Sequence, residues 1–270
     1  MIGRVFNLER FSFNVVIGAL AAAAVALLLL PTLVVIIVSF TSGFSLRFPP
    51  TGYSFRWYIA LMDAWQLHFA AANSARVAAW TTVLSVILGV AAALAIARSQ
   101  RLMARVLDSV FMSPLVLPAL AFGLAALIYF SLLGLPGSQL TLVIGHTVVC
   151  VPYVLRTTVA ALAQLNPALL ESSASLGASR LYTFRRITLP LIRPGILAGA
   201  FIAFMSSFDN VPVSLFLRDA ATDMLPIRMW QDLEGRLDAT IAAVSGVMIA
   251  LTVLALVVME RVAGLSRRIR

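Results

Sequence analysis

The sequence predicts an all-α membrane protein that crosses the bilayer six times, and three observations carry the prediction. Of its 270 residues, 61% are hydrophobic and only 11% are charged, with a mean hydropathy of +0.99. A soluble domain needs far more polar surface than that. The charges fall in short islands, and the apolar runs between them reach or exceed the roughly 20 residues that cross a ~30 Å hydrocarbon layer. The arginines are shared unequally between alternate islands, as they are when cationic loops are retained on one side of a membrane.

An Arg or Asp at a bilayer centre costs about 2.5–3.5 kcal/mol on insertion scales, so charge-free windows delimit the spans. The first, 13–40, lies between Arg10 and Arg47, and its apolar stretch is too long for a secretory signal peptide. The outer loop that follows, 43–66, carries Tyr53, Trp57, Tyr58 and Trp65, which suits a helix lying at the membrane interface. The second span is predicted over 77–97, with His68 in the loop before it. Between Asp108 and Arg156 there is too much apolar chain for one crossing, and Gly134-Leu135-Pro136-Gly137-Ser138-Gln139 supplies a turn. That gives a hairpin of a third span, 109–133, and a fourth, 140–162. The fifth runs over 191–217 and the sixth over 239–259.

Six crossings put both termini on one side. The chain has no lysine, so all 20 of its cations are arginines. Thirteen fall on the side of the termini: Arg4, Arg10, Arg98, Arg101, Arg105, Arg180, Arg185, Arg186, Arg193, Arg261, Arg267, Arg268 and Arg270. Six fall opposite, at Arg47, Arg56, Arg76, Arg218, Arg228 and Arg236, and Arg156 lies within span four. Both termini are therefore expected in the cytoplasm. The net charge of +9 is a topology signal spread over separate patches without interleaved aromatics, so it argues against nucleic acid as a partner.

Chemistry-bearing constellations are absent from the sequence. A phosphate-binding loop needs a lysine, and there is none, so ATP hydrolysis by that route is excluded. His68, His146 and the single Cys150 have no spacing that suggests a metal site, a cofactor site or a catalytic site, and all three are read as structural.

The segment ESSASLGASRLYTFRRITLP, residues 171–190, is polar and lies between two spans, within a loop over 165–190 that is the longest internal one. It reads as structured. Asn166 suits an N-cap, Pro167 the first helical position and Gly177 the left-handed residue that ends a helix, which predicts a helix over 167–176. Ser179 then caps a second short helix over 180–186, ahead of Pro190, where span five begins.

These residues resemble the cytoplasmic loop signature of the permease subunits of type I ABC importers. Glu171 is followed six positions later by Gly177, nine residues intervene, and Ile187, Leu189 and Pro190 complete the pattern. Ser172 and Ser173 stand where the family has two alanines, and serine is still small enough for a partner surface to come close. The resemblance covers residues 70–260 and implies the type I permease fold in a multi-pass protein of the bacterial cytoplasmic (inner) membrane. It divides the chain into residues 1–69, an added span with its outer loop, 70–260, the permease core, and 261–270, a cytoplasmic tail. It also implies that the loop couples the spans to a separate ATPase through Glu171, Ser172, Ser173, Gly177, Ile187, Leu189 and Pro190. The implied partners are a second, related but different permease, two ATPase subunits, an external solute-binding protein and membrane lipid. No cofactor is implied. A self-sufficient secondary transporter or channel is the competing class, disfavoured because few ionisable groups lie inside the spans and no internal repeat is visible.

Phe208, Asp209 and Asn210 are the candidate solute-pathway residues, because an acid inside a span is by default a functional candidate. Pro212 removes a helical hydrogen bond and can open the helix beside them. The segments 208–217 and 225–230 resemble the spermidine/putrescine permease branch, and an acid in the pathway suits a cationic amine. Asp209 either meets the solute or pairs with Arg156 or with a partner permease.

Overall fold

A helix in a bilayer satisfies all its backbone groups within itself, and the computed structural model is built of such helices. It describes residues 8–97, 102–235 and 239–263. Arg4, Arg98, Arg101, Arg236, Asp238, Arg267, Arg268 and Arg270 lie outside them. The helices are α1 (Leu8–Ser39), α2 (Arg56–Met62), α3 (Trp65–Ala97), α4 (Leu102–Val116), α5 (Ala119–Leu132), α6 (Gln139–Ala163), α7 (Pro167–Ser175), α8 (Arg180–Thr183), α9 (Leu189–Phe208), α10 (Val211–Leu217), α11 (Leu225–Gly235) and α12 (Thr240–Ala263). Among the described residues, five stretches are long and apolar enough to cross a membrane, and a sixth crossing exists if α4 and α5 together make one.

The chain forms two compact units. One comprises the described residues of 1–64 and 232–251. In it α1 is an exposed apolar rod, followed by the predicted interfacial helix, α2, which buries Trp57 against Ala239 and Ala243. Tyr58 shares a 2.7 Å hydrogen bond with Ser39, and the Arg56 guanidinium lies 4.3 Å from the Phe44 ring centroid.

The other unit, 65–231 with the described residues of 252–270, holds the bundle of α3, α6 and α9. In α6, 61% of the most apolar window is buried, against 22% in α3, which makes α6 the central span. Close approach is made possible by small residues. A Cβ on Gly89 of α3 would sit 3.1 Å from the Leu155 backbone nitrogen, and one on Gly199 of α9 would sit 2.8 Å from the Val154 Cα. Glycine at these positions lets two helices pack against the same stretch of α6.

The helix boundaries depart most from the sequence expectation at spans two, three and five. The helix of span two begins at Trp65, twelve residues before the charge-free window, so His68 and Arg76 stand on a helix. Its 33 residues, about 50 Å at 1.5 Å each, exceed the hydrocarbon thickness, and a charge marks the edge of the membrane, not the end of the helix. Span three is not one helix. α4 and α5 meet at a 104° bend, because Pro118 has no N–H to donate and its ring keeps Leu117 from a helical conformation. Span five stops at Phe208 and resumes as α10, with Pro212 in the first turn of the new helix.

Gly199→Val should drive two methyl groups into α6 and lower stability by about 1–3 kcal/mol, seen as a lower Tm and yield of detergent-extracted protein. Gly18→Ala on α1, where a Cβ meets nothing within 4 Å, should change neither. Equal behaviour of the two variants would show that the glycine contact is not tight.

Candidate functional site

Two regions hold the candidate residues, the loop after α6 and the interruption after α9. In the loop, Asn166 Oδ1 accepts from the Ala168 N–H at 3.0 Å and starts α7 as predicted. The helix ends in paired backbone bonds, Ala178 N to Ser173 O at 3.1 Å and Gly177 N to Ala174 O at 2.9 Å, with Gly177 at φ +75°. This is the left-handed C-terminal motif that glycine favours, and a Cβ there would meet nothing, so conformation and not space selects the glycine.

Ser179 Oγ accepts from Tyr182 N at 3.2 Å and caps α8, also as predicted. The second short helix, expected over 180–186, ends at Thr183 and continues without a gap through a π turn, Phe184–Thr188, into α9. The wider turn sets Leu189 N onto Phe184 O just ahead of Pro190, which has no N–H of its own. Arg180–Phe208 is therefore one continuous helical stretch of 29 residues.

Glu171 and Ser172 are exposed on α7, and Leu169, Leu176, Leu181 and Tyr182 expose apolar side chains around them, Leu176 to 87%. Ser173 is different. It is buried, and its hydroxyl lies 2.8 Å from that of Thr183, so it ties α7 to α8 instead of lying open to a partner. Ile187 is half-buried, whereas Leu189 and Pro190 are exposed.

At the second region the ladder of α9 closes with Asp209 N on Met205 O at 3.1 Å, and Asn210 Oδ1 accepts from Val213 N at 2.9 Å to begin α10. Asp209 is exposed at the gap, and no cation lies within ion-pair distance of it among the described residues. Phe208 stacks on Phe204 with centroids 6.0 Å apart. The pairing of Asp209 with Arg156 does not occur. Arg156 instead bonds Asp108 of α4 at 3.2 Å, with side chains 54% and 29% exposed. No spacing in the sequence links Asp108 to Arg156.

α10 is seated by glycines. A Cβ on Gly123 of α5 would lie 2.7 Å from Pro212 O, and one on Gly145 of α6 would lie 2.5 Å from Leu217 Cδ1. His146 is fully buried between Ser207 and Ser214. Asn73 donates to the carbonyls of Ala221 and Asp223, and Ser74 Oγ accepts from Leu225 N, which holds the loop after α10 against α3. At the tip of that loop the Thr222 hydroxyl and nearby backbone N–H groups hold the Asp219 carboxyl below its ordinary range.

Spans packed around a central α6, an exposed helical knob between the fourth and fifth of them and an interrupted fifth span define a multi-pass transport permease. The chain belongs to the family of binding-protein-dependent transport system inner membrane components, whose match covers residues 85–270. It is similar to the spermidine/putrescine transport system permease protein PotC of Escherichia coli K12, with 27% identity over 91% of this chain and 93% of PotC. It is also similar to the putrescine transport system permease protein PotI of the same strain, 31% identical over 73% of this chain and 72% of PotI. The molybdenum transport system permease protein ModB of Mycobacterium bovis is 33% identical over 69% of this chain and 75% of ModB. In fold the chain resembles a solved structure of the bacterial alginate ABC transporter in complex with alginate pentasaccharide-bound periplasmic protein. The TM-score is 0.69 at 18% identity, over 99% of this chain and 98% of that one. The protein is thus an ABC importer permease in family and in fold.

If the Asp108–Arg156 pair steadies α4 on α6, Asp108→Asn should lower the Tm of the purified protein by about 2–4 °C, the loss of one partly exposed ion pair. Arg156→Gln in that background should add little further loss. An Asp209→Asn phenotype, by contrast, should not be relieved by any change at Arg156.

Proposed function

We propose that this permease moves a small cationic amine of the polyamine class across the bacterial cytoplasmic membrane. It acts beside a second, related permease, with two ATPase subunits on the cytoplasmic face and an external binding protein that delivers the solute. The observation that carries the solute class is the carboxylate of Asp209, exposed at the gap between α9 and α10 with no described cation beside it. A carboxylate attracts an ammonium group and repels an anion, by a few kcal/mol at effective dielectric constants near 20. The Phe204–Phe208 pair nearby offers aromatic faces that also favour a cation. The similarity to PotC and PotI supports the same class of solute.

Coupling runs through the loop 165–190, with Glu171, Ser172 and the exposed leucines as the face offered to the ATPase. A carboxylate on a short exposed helix meets a partner's arginine by charge-assisted hydrogen bonds. Gly177 shapes the turn, Ser173 braces the two helices, and Ile187, Leu189 and Pro190 root the loop in α9. The termini and the tail, 261–270, are cytoplasmic, and residues 1–69 form a span added to the core, 70–260.

With the complex in proteoliposomes, Asp209→Asn should cut uptake of radiolabelled spermidine or putrescine by about tenfold, a loss of about 1.4 kcal/mol, while capture by the external binding protein is unchanged. Undiminished uptake would remove Asp209, and with it the structural reason for an amine. Gly177→Val should abolish transport with membrane insertion intact, since a β-branched residue resists positive φ. Glu171→Arg should reduce recovery of the ATPase in pull-downs. A reporter inserted after Leu176 should be cytoplasmic and one beside Asp223 external; the reverse would place the loop out of the ATPase's reach.

A further inference from the structure

We propose that His146 is a positioning residue for transport, a clasp that fixes the two halves of span five across their interruption and so sets where Asp209 is presented. The inference rests on the pathway reading of Asp209. Its geometric basis is independent of that reading. His146 is fully buried in α6, with Nδ1 2.8 Å from Ser207 Oγ and Nε2 3.1 Å from Ser214 Oγ. Ser207 lies in the last turn of α9 and Ser214 in the middle of α10, and both are themselves fully buried. One imidazole therefore spans the gap.

In an unbroken helix, residues seven apart stand about 10 Å apart along the axis, a long reach for the two nitrogens of one ring. The two serines come within its reach because the chain turns between them, at Asp209 and Asn210. At that turn the backbone link from α9 to the cap of α10 is one long bond, Asn210 N to Ser207 O at 3.4 Å. Pro212 has no N–H, and the cap from Asn210 Oδ1 to Val213 N belongs to α10 alone. The hydroxyls of Ser207 and Ser214 need partners in a water-free interior, and the ring supplies both. Either neutral tautomer serves, since a serine hydroxyl donates as readily as it accepts.

The clasp is oriented by its surroundings. On α6, Gly145, next to His146, receives α10 through Leu217 and Val213, and Val154, eight residues on, receives α9 through Gly199. Packing alone would hold each half against α6. The hydrogen bonds add direction, because they are met at one relative setting of the halves and lost as the halves turn.

The test uses the full complex in proteoliposomes with radiolabelled spermidine as the probe, and a Cys150→Ala background with nitroxides at positions 202 and 215, exposed on α9 and α10. His146→Leu keeps apolar volume and removes both bonds. It should lower maximal spermidine uptake by about tenfold or more, and broaden the 202–215 distance distribution, with complex yield unchanged. His146→Gln, which keeps a donor and an acceptor, should restore much of both. The pair Ser207→Ala with Ser214→Ala should match His146→Leu, and adding His146→Leu to it should cost nothing further. If His146→Leu fails to assemble, the two-serine variant decides alone. A narrow, unshifted distance distribution in the variant that lacks the bonds, or full uptake in it, overturns the clasp. Should the unaltered complex take up no spermidine, the amine reading falls, while the distance measurement still decides whether His146 sets the interruption.

Discussion

Inside a bilayer no water is available to a freed N–H or C=O, and the architecture of this chain follows from how it meets that constraint where its helices are broken. Three places show the compensating arrangements. Before Pro190 a π turn redirects the ladder, so that Leu189 N still finds Phe184 O. After α9 a side-chain amide, Asn210, replaces the missing acceptor for α10. At the far end of α10 the carbonyl of Leu217 accepts from Ser138 N at 3.2 Å and from Thr141 Oγ1 at 3.3 Å. Those two residues also form the capping box that opens α6, so one pair of residues ends one helix and starts another.

The spans were legible because charge is costly in hydrocarbon, and Phe13–Ser39 lies within one residue of its charge-free window. The same logic cannot locate a helix end that projects into water, which is why Arg76 was read as loop. Nor can it read direction. Composition is alike on both sides of Pro118 and of Pro212, and only the missing N–H distinguishes those points. Caps were the most readable local feature: Asn166, Gly177 and Ser179 act within a few residues of themselves, so their bonds follow from sequence spacing.

Side-chain partnerships across the bundle were not readable. Asp108 with Arg156 and His146 with Ser207 and Ser214 join positions 48, 61 and 68 residues apart, and nothing in a single sequence ties them. His146 was read as structural for want of neighbours with catalytic spacing. It does have neighbours, but they are serines brought close by a helix break. Ser173 carries the same lesson in reverse, since a motif position assigned to a partner surface is taken up inside the loop by Thr183.

These pieces bear on how a push at the membrane surface could reach the solute path under the proposed coupling. From Arg180 to Phe208 the chain is helical throughout, about 43 Å at 1.5 Å per residue, and Ser173 fastens α7 to the base of that stretch. A continuous helix carries displacement along its axis, and this one can bend at its π turn and at Pro190 and Pro194, where the backbone ladder is altered. Under the proposed coupling, movement of the α7–α8 knob would reach Asp209 along this stretch. There the ladder ends, and the rotation has to be absorbed between α9 and an α10 held by Gly123 and Gly145. The bond pair that spans this joint at His146 would resist its movement. A carboxylate standing at such a joint changes its surroundings when the joint moves. Under the proposed function, a helical input, a joint and a charge beside it would together let work done on the cytoplasmic side alter the hold on a cation within the membrane.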